Sequence, residues 1–257
     1  MGEDHLLLYF VGTAGSGKTS LTAAFQRWMQ RQGYNVTLLN LDPGVDVLPY
    51  EPDIDIRDWV SLPQVMEEYD LGPNGAQVVA ADLLALNIGK VSEVLEGLSE
   101  DYVLVDTPGQ IELFAFRESS ERILEALGDR HALAFCIDPI LARKASSLAT
   151  QLLLSLTVQF RLQAPSFDLL TKADLLSDEE VARIIQWSAQ PESFYDAIGN
   201  DSSNPLTPLS QGILRTLEST AAGFHLTPVS ATHEDGLADL YSQIQAIFFG
   251  GEDLEPR

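Results

Sequence analysis

The chain has 257 residues, of which 38 are Asp or Glu and only 15 are Lys or Arg, so its formal net charge is −23. This charge argues against nucleic-acid backbones and anionic lipid surfaces as direct partners, because both are themselves negatively charged. Hydrophobic residues make up 45% of the chain, yet no apolar run approaches the roughly 20 residues that cross a bilayer, which predicts a globular protein without a membrane span.

The first ten residues, MGEDHLLLYF, are acidic before they become apolar. They therefore lack the basic flank of a secretory signal, and we expect a cytoplasmic protein. The single cysteine, Cys136, lies in the apolar run ALAFCI and is expected to be a small core residue rather than a nucleophile. None of the four histidines belongs to a pair typical of a zinc site.

Apolar runs typical of buried strands alternate with segments typical of helices along the chain. The predicted strands cover residues 5–11, 35–42, 102–106, 132–138, 167–172 and 225–231. The predicted helices cover about 18–31, 57–69, 76–89, 91–98 and 141–163. Such alternation predicts a three-layer α/β fold, in which a mainly parallel sheet is covered by helices on both faces, in one domain spanning 1–257.

Two stretches interrupt the alternation. Residues 43–75 are rich in Pro, Gly and Asp, and we expect an insertion at about 43–90 that contains a tight turn at Gly72, Pro73 and Asn74. Residues 190–211 combine Pro, Ser, Asn and Asp, which predicts a small lid-like helical or loop insertion extending to about residue 223.

The segment GTAGSGKT at 12–19 matches the phosphate-loop pattern G-x-x-x-x-G-K-[ST] and lies between a predicted strand and a predicted helix. In this context backbone N–H groups and the helix N-terminus surround a β-phosphate, Lys18 reaches the β and γ oxygens, and Thr19 ligates Mg²⁺. We therefore expect the P-loop NTPase fold. The residues expected to bind the nucleotide here are Gly12, Ala14, Gly15, Ser16, Gly17, Lys18, Thr19 and Ser20.

Two further carboxylates are expected at the same edge of the sheet. Asp106 in DTPGQ ends a predicted strand and is expected to hold Mg²⁺ through water, while the backbone N–H of Gly109 is offered to a γ-phosphate. Asp42 in LDP ends the second predicted strand and could hold a water on Mg²⁺ or the attacking water itself. Asp138 in IDP is expected only to cap the helix that follows it.

The segment TKAD at 171–174 predicts the base specificity. A carboxylate at Asp174 can accept both the N1–H and the exocyclic amine of guanine, whereas adenine would present it with an acceptor. Lys172 is expected to cover the base and Thr171 to border it. Ser230 and Ala231, at the end of the last predicted strand, are also expected to bind the nucleotide, and the backbone N–H of Ala231 could donate to guanine O6.

With GTAGSGKT, LDPGVDVLPYEPDIDIRD, LGPNGA, DTPGQIELF and TKAD appearing in this order, the sequence resembles the GPN-loop GTPases and is close to their archaeal members. The resemblance covers nearly the whole chain, from about residue 9 to residue 230. Thr171 stands where the common form has Asn, which removes an amide from the usual bonds of that loop. Gly44, Val45 and Asp46 stand where many relatives have Ala-Ala-Glu.

The resemblance implies a Mg²⁺-dependent GTPase that binds GTP and GDP and forms a homodimer. Each subunit would insert Gly72, Pro73 and Asn74 toward the nucleotide phosphates of the other subunit. Water would attack the γ-phosphate in line, and Lys18 with Mg²⁺ would stabilise the charge. The candidate catalytic residues are Lys18, Asp42, Asn74, Asp106 and Gln110, and the candidate metal ligands are Thr19, Asp42 and Asp106.

Other functions remain open at this point. The resemblance also suggests a slow, nucleotide-gated assembly or chaperone-like factor with a protein client, in which the product is a conformational change. A P-loop kinase is disfavoured because residues 190–211 contain no Lys or Arg, and kinase lids need cations over the phosphates. Partition-type ATPases are disfavoured because Thr13 and Ala14 stand where their loop has a lysine.

Overall fold

A parallel β-sheet forms the centre of the computed structural model, which describes residues 5–98, 100–200, 212 and 225–250. Its seven strands within these residues are hydrogen-bonded in the order β3-β2-β4-β1-β5-β6-β7, and every neighbouring pair is parallel. The strands are β1 (Leu6–Gly12), β2 (Val36–Asn40), β3 (Ile54–Asp55), β4 (Tyr102–Asp106), β5 (His131–Ile137), β6 (Ser166–Leu170) and β7 (Leu226–Pro228).

Helices cover both faces of the sheet. They are α1 (Lys18–Arg31), α2 (Leu62–Glu68), α3 (Pro73–Leu95), α4 (Ile111–Phe114), α5 (Ser120–Leu127), α6 (Pro139–Ala142), α7 (Ala145–Leu162), α8 (Asp178–Ala189), α9 (Pro191–Gly199) and α10 (Leu237–Phe248). Within the described part of the chain, none of them combines the length and the apolar character that crossing a membrane requires.

The alternation of side chains along β1 divides the core into two layers. Leu7, Tyr9 and Val11 pack with residues of α3, α5, α7, α8 and α9. Leu6, Leu8 and Phe10 pack on the opposite face with residues of α1 and α10. Because both faces are covered, the strand is apolar at every position, and the expected three-layer α/β fold is confirmed.

The Gly-Pro-Asn stretch was expected to be a tight turn, and this expectation is wrong. Gly72 has an extended backbone with φ −72° and ψ 167°, and α3 begins at Pro73. Proline suits the first position of a helix because its missing N–H would have no partner there. The helix then continues without interruption to Leu95, where two separate helices were expected.

Other boundaries also differ from the sequence prediction. The short strand β3 was not expected, and the predicted helix at 57–69 is a 3-10 turn (Ile56–Asp58) followed by α2. The predicted helix at 141–163 is divided into α6 and α7, since Lys144 has an extended backbone with φ −103° and ψ 129°. These breaks occur where one residue adopts non-helical backbone angles. The hydrophobic pattern of the sequence does not show such a residue.

Part of the predicted lid-like insertion at 190–223 is a packed helix. Within α9, Phe194 and Ile198 are buried, and the Phe194 ring stacks on Trp187 of α8 at a centroid distance of 6.0 Å. This helix therefore belongs to the layer around the core. Residues 201–211 and 213–224 of the predicted insertion lie outside the described residues.

Candidate functional site

The carboxyl ends of the strands bring the sequence motifs to one edge of the sheet. The phosphate loop begins at the last residue of β1 and extends to residue 17, Asp106 ends the neighbouring strand β4, and Asp42 lies two residues after β2. On the other side of β1, the segments after β6 and β7 begin at Thr171 and Val229. In open parallel sheets ligands bind at this edge, and the predicted site residues of the loops meet there.

The loop after β1 needs glycine at two positions for different reasons. Gly12 has φ +148°, and a Cβ there would lie 2.7 Å from the carbonyl oxygen of Cys136. Gly17 has φ +98° and precedes the first residue of α1, and a Cβ at this position would lie 3.1 Å from the Lys172 side chain, which passes over it. The loop thereby places the N-terminus of α1 at its centre, which is the geometry of an anion cradle.

Lys18 is bonded to backbone carbonyls. Its Nζ donates to the oxygens of Gly12 at 3.0 Å, Thr13 at 3.1 Å and Gly109 at 2.9 Å. The side chain is only 4% exposed, so its charge depends on these acceptors for solvation. Two of the three belong to the phosphate loop itself and the third to the DTPGQ segment, which links the two motifs.

Asp106 is the most deeply buried carboxylate of the site, at 1% exposure. Its Oδ2 accepts a hydrogen bond of 2.9 Å from the Tyr50 hydroxyl, while its Oδ1 is buried without a hydrogen-bond partner among the described residues. Burial raises the pKa of Asp106 to about 6, although the Thr19 and Tyr50 hydroxyls act in the opposite direction. Burial also lowers the pKa of Lys18, so a cation or phosphate here would stabilise charges that are otherwise costly.

Asp42 interacts electrostatically with Lys18 and accepts two backbone hydrogen bonds. Its Oδ1 accepts from Gly44 N–H at 2.9 Å and its Oδ2 from Gly109 N–H at 3.0 Å. Burial raises the pKa of Asp42, and the two N–H groups lower it. The Gly109 N–H, which was expected to meet a γ-phosphate, is thus bonded to a carboxylate in this structure.

Gln110 bonds to a residue that the sequence reasoning missed. Its Nε2 donates to Oε1 of Gln77, in the first turns of α3, at 2.9 Å. The two amides border a cavity of about 230 Å³ that also contains Asp42 and Gly109. Gln77 comes three residues after Asn74, so the GPN motif could have directed attention to it, but its partner could not be read from the sequence.

Thr171 ties the segment after β6 to the phosphate loop. Its hydroxyl lies 2.5 Å from the Ser16 carbonyl oxygen and 2.9 Å from that of Ile137, so it can donate to either. The replacement of Asn by Thr therefore removes an amide but keeps a bond to the phosphate loop. Lys172 adds a second link, because its Nζ donates to the Gly15 carbonyl oxygen at 2.5 Å.

Asp174 is exposed and held in place by Ser230. The Ser230 hydroxyl donates to Oδ1 of Asp174 at 2.6 Å and accepts from the N–H groups of Thr232 and His233 at 3.2 Å and 3.1 Å. A cavity of about 320 Å³ opens beside this pair; its lining includes Gly17, Ser20, Thr171, Lys172, Asp174, Ala231 and Thr232. Ser230 was expected among the nucleotide-binding residues, and here its hydroxyl orients the carboxylate of Asp174.

Three predicted residues lie apart from these groups. Gly72, Pro73 and Asn74 are exposed at the start of α3, and none of them lines the two cavities described above. The site that one chain assembles therefore contains the phosphate loop, Asp42, Asp106, Gly109, Gln110 and the segments at 171–174 and 230–231, without Gly72, Pro73 or Asn74.

Two residues outside the site have the roles expected for them. Asp138 caps α6, since its Oδ1 accepts from Ile140 N–H at 2.8 Å and from Leu141 N–H at 3.2 Å. Cys136 is buried in β5, and burial raises the pKa of its thiol to about 12. A thiol with such a pKa is not a nucleophile at neutral pH.

The chemistry of the donors fits Mg²⁺ bound together with a phosphate. The described residues contain no group of three or more His, Cys, Asp and Glu side chains that could hold a metal ion alone. They do provide the buried, unpaired Oδ1 of Asp106 beside Thr19, and Ser16 Oγ is likewise buried without a partner. Mg²⁺ is usually held by one or two carboxylates with waters and substrate phosphates, so an incomplete protein cage is what this ion requires.

Comparisons with known proteins identify similar sequences and a similar structure. The sequence model of a family described as "Conserved hypothetical ATP binding protein" matches residues 10–249. The GPN-loop GTPase PAB0955 of Pyrococcus abyssi is 41% identical over 183 residues, covering 69% of this chain and 71% of that protein. GPN-loop GTPase 3 of Mycosarcoma maydis is 28% identical over 260 residues, covering 96% and 92%. The crystal structure of PAB0955 in apo form superposes with a TM-score of 0.84 at 33% identity, covering 93% and 96% of the two chains.

Proposed function

The chain belongs to the GPN-loop GTPase family, and from this premise we propose a Mg²⁺-dependent, homodimeric GTPase whose cycle of GTP binding and hydrolysis controls a protein client. GTP binding and hydrolysis follow from the family. The metal, the dimer and the client are the parts that need support from the residues, and each rests on a different part of the site.

The base side supports guanine. The names of the relatives say GTPase whereas the description of the family model says ATP, so the chemistry of Asp174 carries weight. Its carboxylate lies beside a cavity of about 320 Å³ and is oriented by the Ser230 hydroxyl. A carboxylate accepts from guanine N1–H and its exocyclic amine, while adenine N1 is an acceptor that would leave it unpaired.

The phosphate side supports a triphosphate with Mg²⁺. Lys18 would exchange its three carbonyl acceptors for phosphate oxygens, and Thr19, Asp106 and Asp42 would hold the metal directly or through water. When bound, Mg²⁺ supplies positive charge that neutralises the oxygens of the β- and γ-phosphates. Asp42, Gln110 and Asn74 remain the candidates to orient the attacking water.

The single observation that carries the switching proposal is the hydrogen bond from Gly109 N–H to Oδ2 of Asp42, at 3.0 Å. A γ-phosphate would compete with the carboxylate for this donor, because both are anions that accept from the same N–H. Arrival of GTP would thus release Asp42 toward the metal or the water, and loss of the γ-phosphate would let the pair form again. This exchange makes the DTPGQ segment sensitive to hydrolysis.

The position of Gly72, Pro73 and Asn74 supports a second subunit. These residues are exposed at the start of a 23-residue helix, where a rigid backbone could present Asn74 to the phosphates of another copy with little ordering entropy to lose. In the dimer, each subunit would then contribute Gly72, Pro73 and Asn74 to the site of the other subunit. A client that follows the nucleotide state, and a cytoplasmic location, complete the proposal.

One experiment tests its main parts together. Hydrolysis of GTP and of ATP is measured with and without Mg²⁺, and the molar mass is determined with GDP and with a non-hydrolysable GTP analogue. We expect hydrolysis of GTP only with Mg²⁺, little hydrolysis of ATP, and twice the monomer mass with the analogue. Equal hydrolysis of ATP would contradict the guanine assignment, and a monomer in every state would contradict the role of Asn74.

A nucleotide-gated assembly factor with little turnover of its own remains the second candidate, favoured by the Gln110–Gln77 bond that connects the DTPGQ segment to α3. Pull-downs with the GTP-bound and GDP-bound protein, combined with the GTP turnover rate, separate the two functions. Both candidates predict a client that is captured in one nucleotide state only; negligible turnover would favour the assembly factor, clear turnover would favour the proposed GTPase, and identical captures in both states would leave a plain hydrolase.

A further inference from the structure

Tyr50 lies in the segment between β2 and β3 and differs from its neighbours. Pro49 and Glu51 are exposed, whereas the Tyr50 side chain is partly buried and packs against the core layer of α1 and α10. Its hydroxyl donates a hydrogen bond of 2.9 Å to Oδ2 of Asp106. A residue with exposed neighbours on both sides therefore contacts the most buried carboxylate of the site.

The segment that carries Tyr50 is anchored to the sheet on its C-terminal side. Asp53 pairs with Leu38 of β2 through two bonds, accepting from the Leu38 N–H at 2.7 Å and donating its own N–H to the Leu38 carbonyl oxygen at 2.9 Å. These bonds hold the chain three residues after Tyr50 at a fixed place beside the sheet.

Its N-terminal side is anchored as well. The Arg57 guanidinium is paired with Asp55 and donates from Nη1 to the Val45 carbonyl oxygen at 3.0 Å. Asp55 accepts in addition from Asn40 Nδ2 at 2.9 Å. The backbone on both sides of Tyr50 is thus fixed, and its hydroxyl is already in place beside Asp106. Little further conformational entropy of this segment is therefore lost when a ligand binds.

The two oxygens of Asp106 have different environments. Oδ2 is taken by Tyr50, and Oδ1 is buried without a hydrogen-bond partner among the described residues, although the Thr19 hydroxyl lies near enough to the carboxylate to lower the pKa of Asp106. A carboxylate that is bonded at one oxygen cannot rotate freely, and the other oxygen remains available to a cation or to a water on that cation. Outer hydrogen bonds of this kind fix the direction of metal ligands in many sites.

We propose that Tyr50 is a positioning residue for the Mg²⁺ site, which holds Oδ2 of Asp106 so that Oδ1 is directed to the metal or to its water. The inference rests on the proposed Mg²⁺-dependent function and adds to it a residue that does not touch the nucleotide. A merely structural Tyr50 would stabilise the 41–53 segment but would not change the affinity for Mg²⁺.

The test uses Tyr50→Phe, which keeps the ring and its packing and removes only the hydroxyl. We expect the Mg²⁺ concentration for half-maximal GTP hydrolysis to rise about tenfold, as is typical when an outer hydrogen bond to a metal ligand is lost. Turnover at saturating Mg²⁺ should recover to within about threefold of the wild type. Binding of a fluorescent GDP in EDTA should not change, because no contact to the nucleotide is lost.

A second readout does not depend on hydrolysis. Release of the fluorescent GDP is timed in Mg²⁺ and in EDTA, and we expect the concentration at which Mg²⁺ slows release to rise by the same factor in Tyr50→Phe. The matched control is Tyr69→Phe, since Tyr69 is 46% exposed at the end of α2 and lines neither cavity of the site. It should behave as the wild type in both assays.

The outcomes separate the inference from the proposed function. If the wild type hydrolyses GTP only with Mg²⁺ and Tyr50→Phe has the same Mg²⁺ dependence, the positioning role is wrong even if the variant melts at a lower temperature. If the wild type itself needs no Mg²⁺, the proposed function fails first. A rise in the Mg²⁺ requirement with unchanged GDP binding in EDTA supports the role.

Discussion

The two ends of the proposed nucleotide site are built differently. On the base side Asp174 is oriented by Ser230, and Thr171 and Lys172 are tied to the phosphate loop through bonds that a nucleotide need not break. On the phosphate side Lys18 is bonded to three carbonyl oxygens and Gly109 N–H to Asp42. The Lys18 ammonium and the Gly109 N–H thus donate to acceptors within the protein until a ligand replaces those acceptors.

This difference assigns nucleotide selectivity to the base side and the response to the γ-phosphate to the phosphate side. A preorganised base pocket loses little entropy on binding and so provides selectivity at low cost. A phosphate side whose bonds must be exchanged responds to what is bound, because each exchange distinguishes a γ-phosphate from its absence. Substitutions on the base side should therefore change which nucleotide binds, and substitutions on the phosphate side should change what happens to it.

The largest effect is expected for Lys18→Ala on the phosphate side. Loss of a buried cation that stabilises the transferring phosphoryl group should lower single-turnover GTP hydrolysis by about 10³-fold. The preference for GTP over ATP should remain. Lys90→Ala is the control, because Lys90 is exposed on α3 and bonds only to Asn87 among the described residues. A loss of base preference without loss of turnover would break the division between the two ends.

Asn74→Ala tests whether a second subunit belongs to the phosphate side. We expect turnover to fall by about 10²-fold, the scale of one lost donor to the transition state, with nearly unchanged GTP affinity. Asn87→Ala, on the same helix, should hydrolyse GTP as the wild type does. Steady-state kinetics over a range of protein concentrations give both values, and an unchanged turnover would remove the GPN segment from catalysis.

Ser230→Ala is the corresponding change on the base side. Without the Ser230 hydroxyl, Asp174 loses the bond that orients it, and the affinity for GDP should fall about five- to tenfold, the value of one hydrogen bond. Hydrolysis of bound GTP should not change. Titration calorimetry measures the affinity, and Ser242→Ala, on α10, is the control. A slower hydrolysis of bound GTP would show that the two ends are not independent.

The smallest effect is expected for Asp168→Asn, which lies outside both ends, in β6. Its carboxylate accepts from the Ser155 hydroxyl at 2.5 Å, and burial raises its pKa from 3.8 to about 6. Between these pH values the folded state binds more protons than the unfolded state, so this group makes the protein less stable as the pH rises from about 4 to 6. The asparagine carries no charge at any pH.

We therefore expect Asp168→Asn to raise the melting temperature by about 2–4 °C at pH 7.5, and by less at pH 5. GTP hydrolysis should stay at the wild-type level. Differential scanning calorimetry at the two pH values measures this, with Asp46→Asn, an exposed change, as the control. An equal rise at both pH values would mean that the charge of Asp168 is not the cause.

Local features of the fold were readable from the sequence. The apolar run before Gly12 and the pattern GKT predicted β1, the phosphate loop and α1, and the observed bounds of α1 agree with the prediction. These elements depend on near neighbours in the chain: burial of a continuous apolar strand, and a glycine where φ must be positive. The confirmed cap at Asp138 belongs to the same class.

Relations between distant segments were not readable. The hydroxyl of Tyr50 meets Asp106 56 residues away, and Thr171 meets Ser16 across 155 residues. Both contacts depend on the strand order of the sheet and on side-chain direction, which periodicity does not give. Gly-Pro-Asn was misread because proline suits the second position of a turn and the first turn of a helix equally well.

Because α3 is long, a movement transmitted through the Gln110–Gln77 bond would displace residues far from the site. With 23 residues the helix is about 34 Å long, and it carries the GPN residues at one end and Leu95 at the other. If the DTPGQ segment draws Gln77 with it as phosphate leaves, a tilt of about 10° displaces the far end of a rod of this length by about 6 Å. A protein that binds only the last turn of α3 could then distinguish the two nucleotide states without contacting the nucleotide.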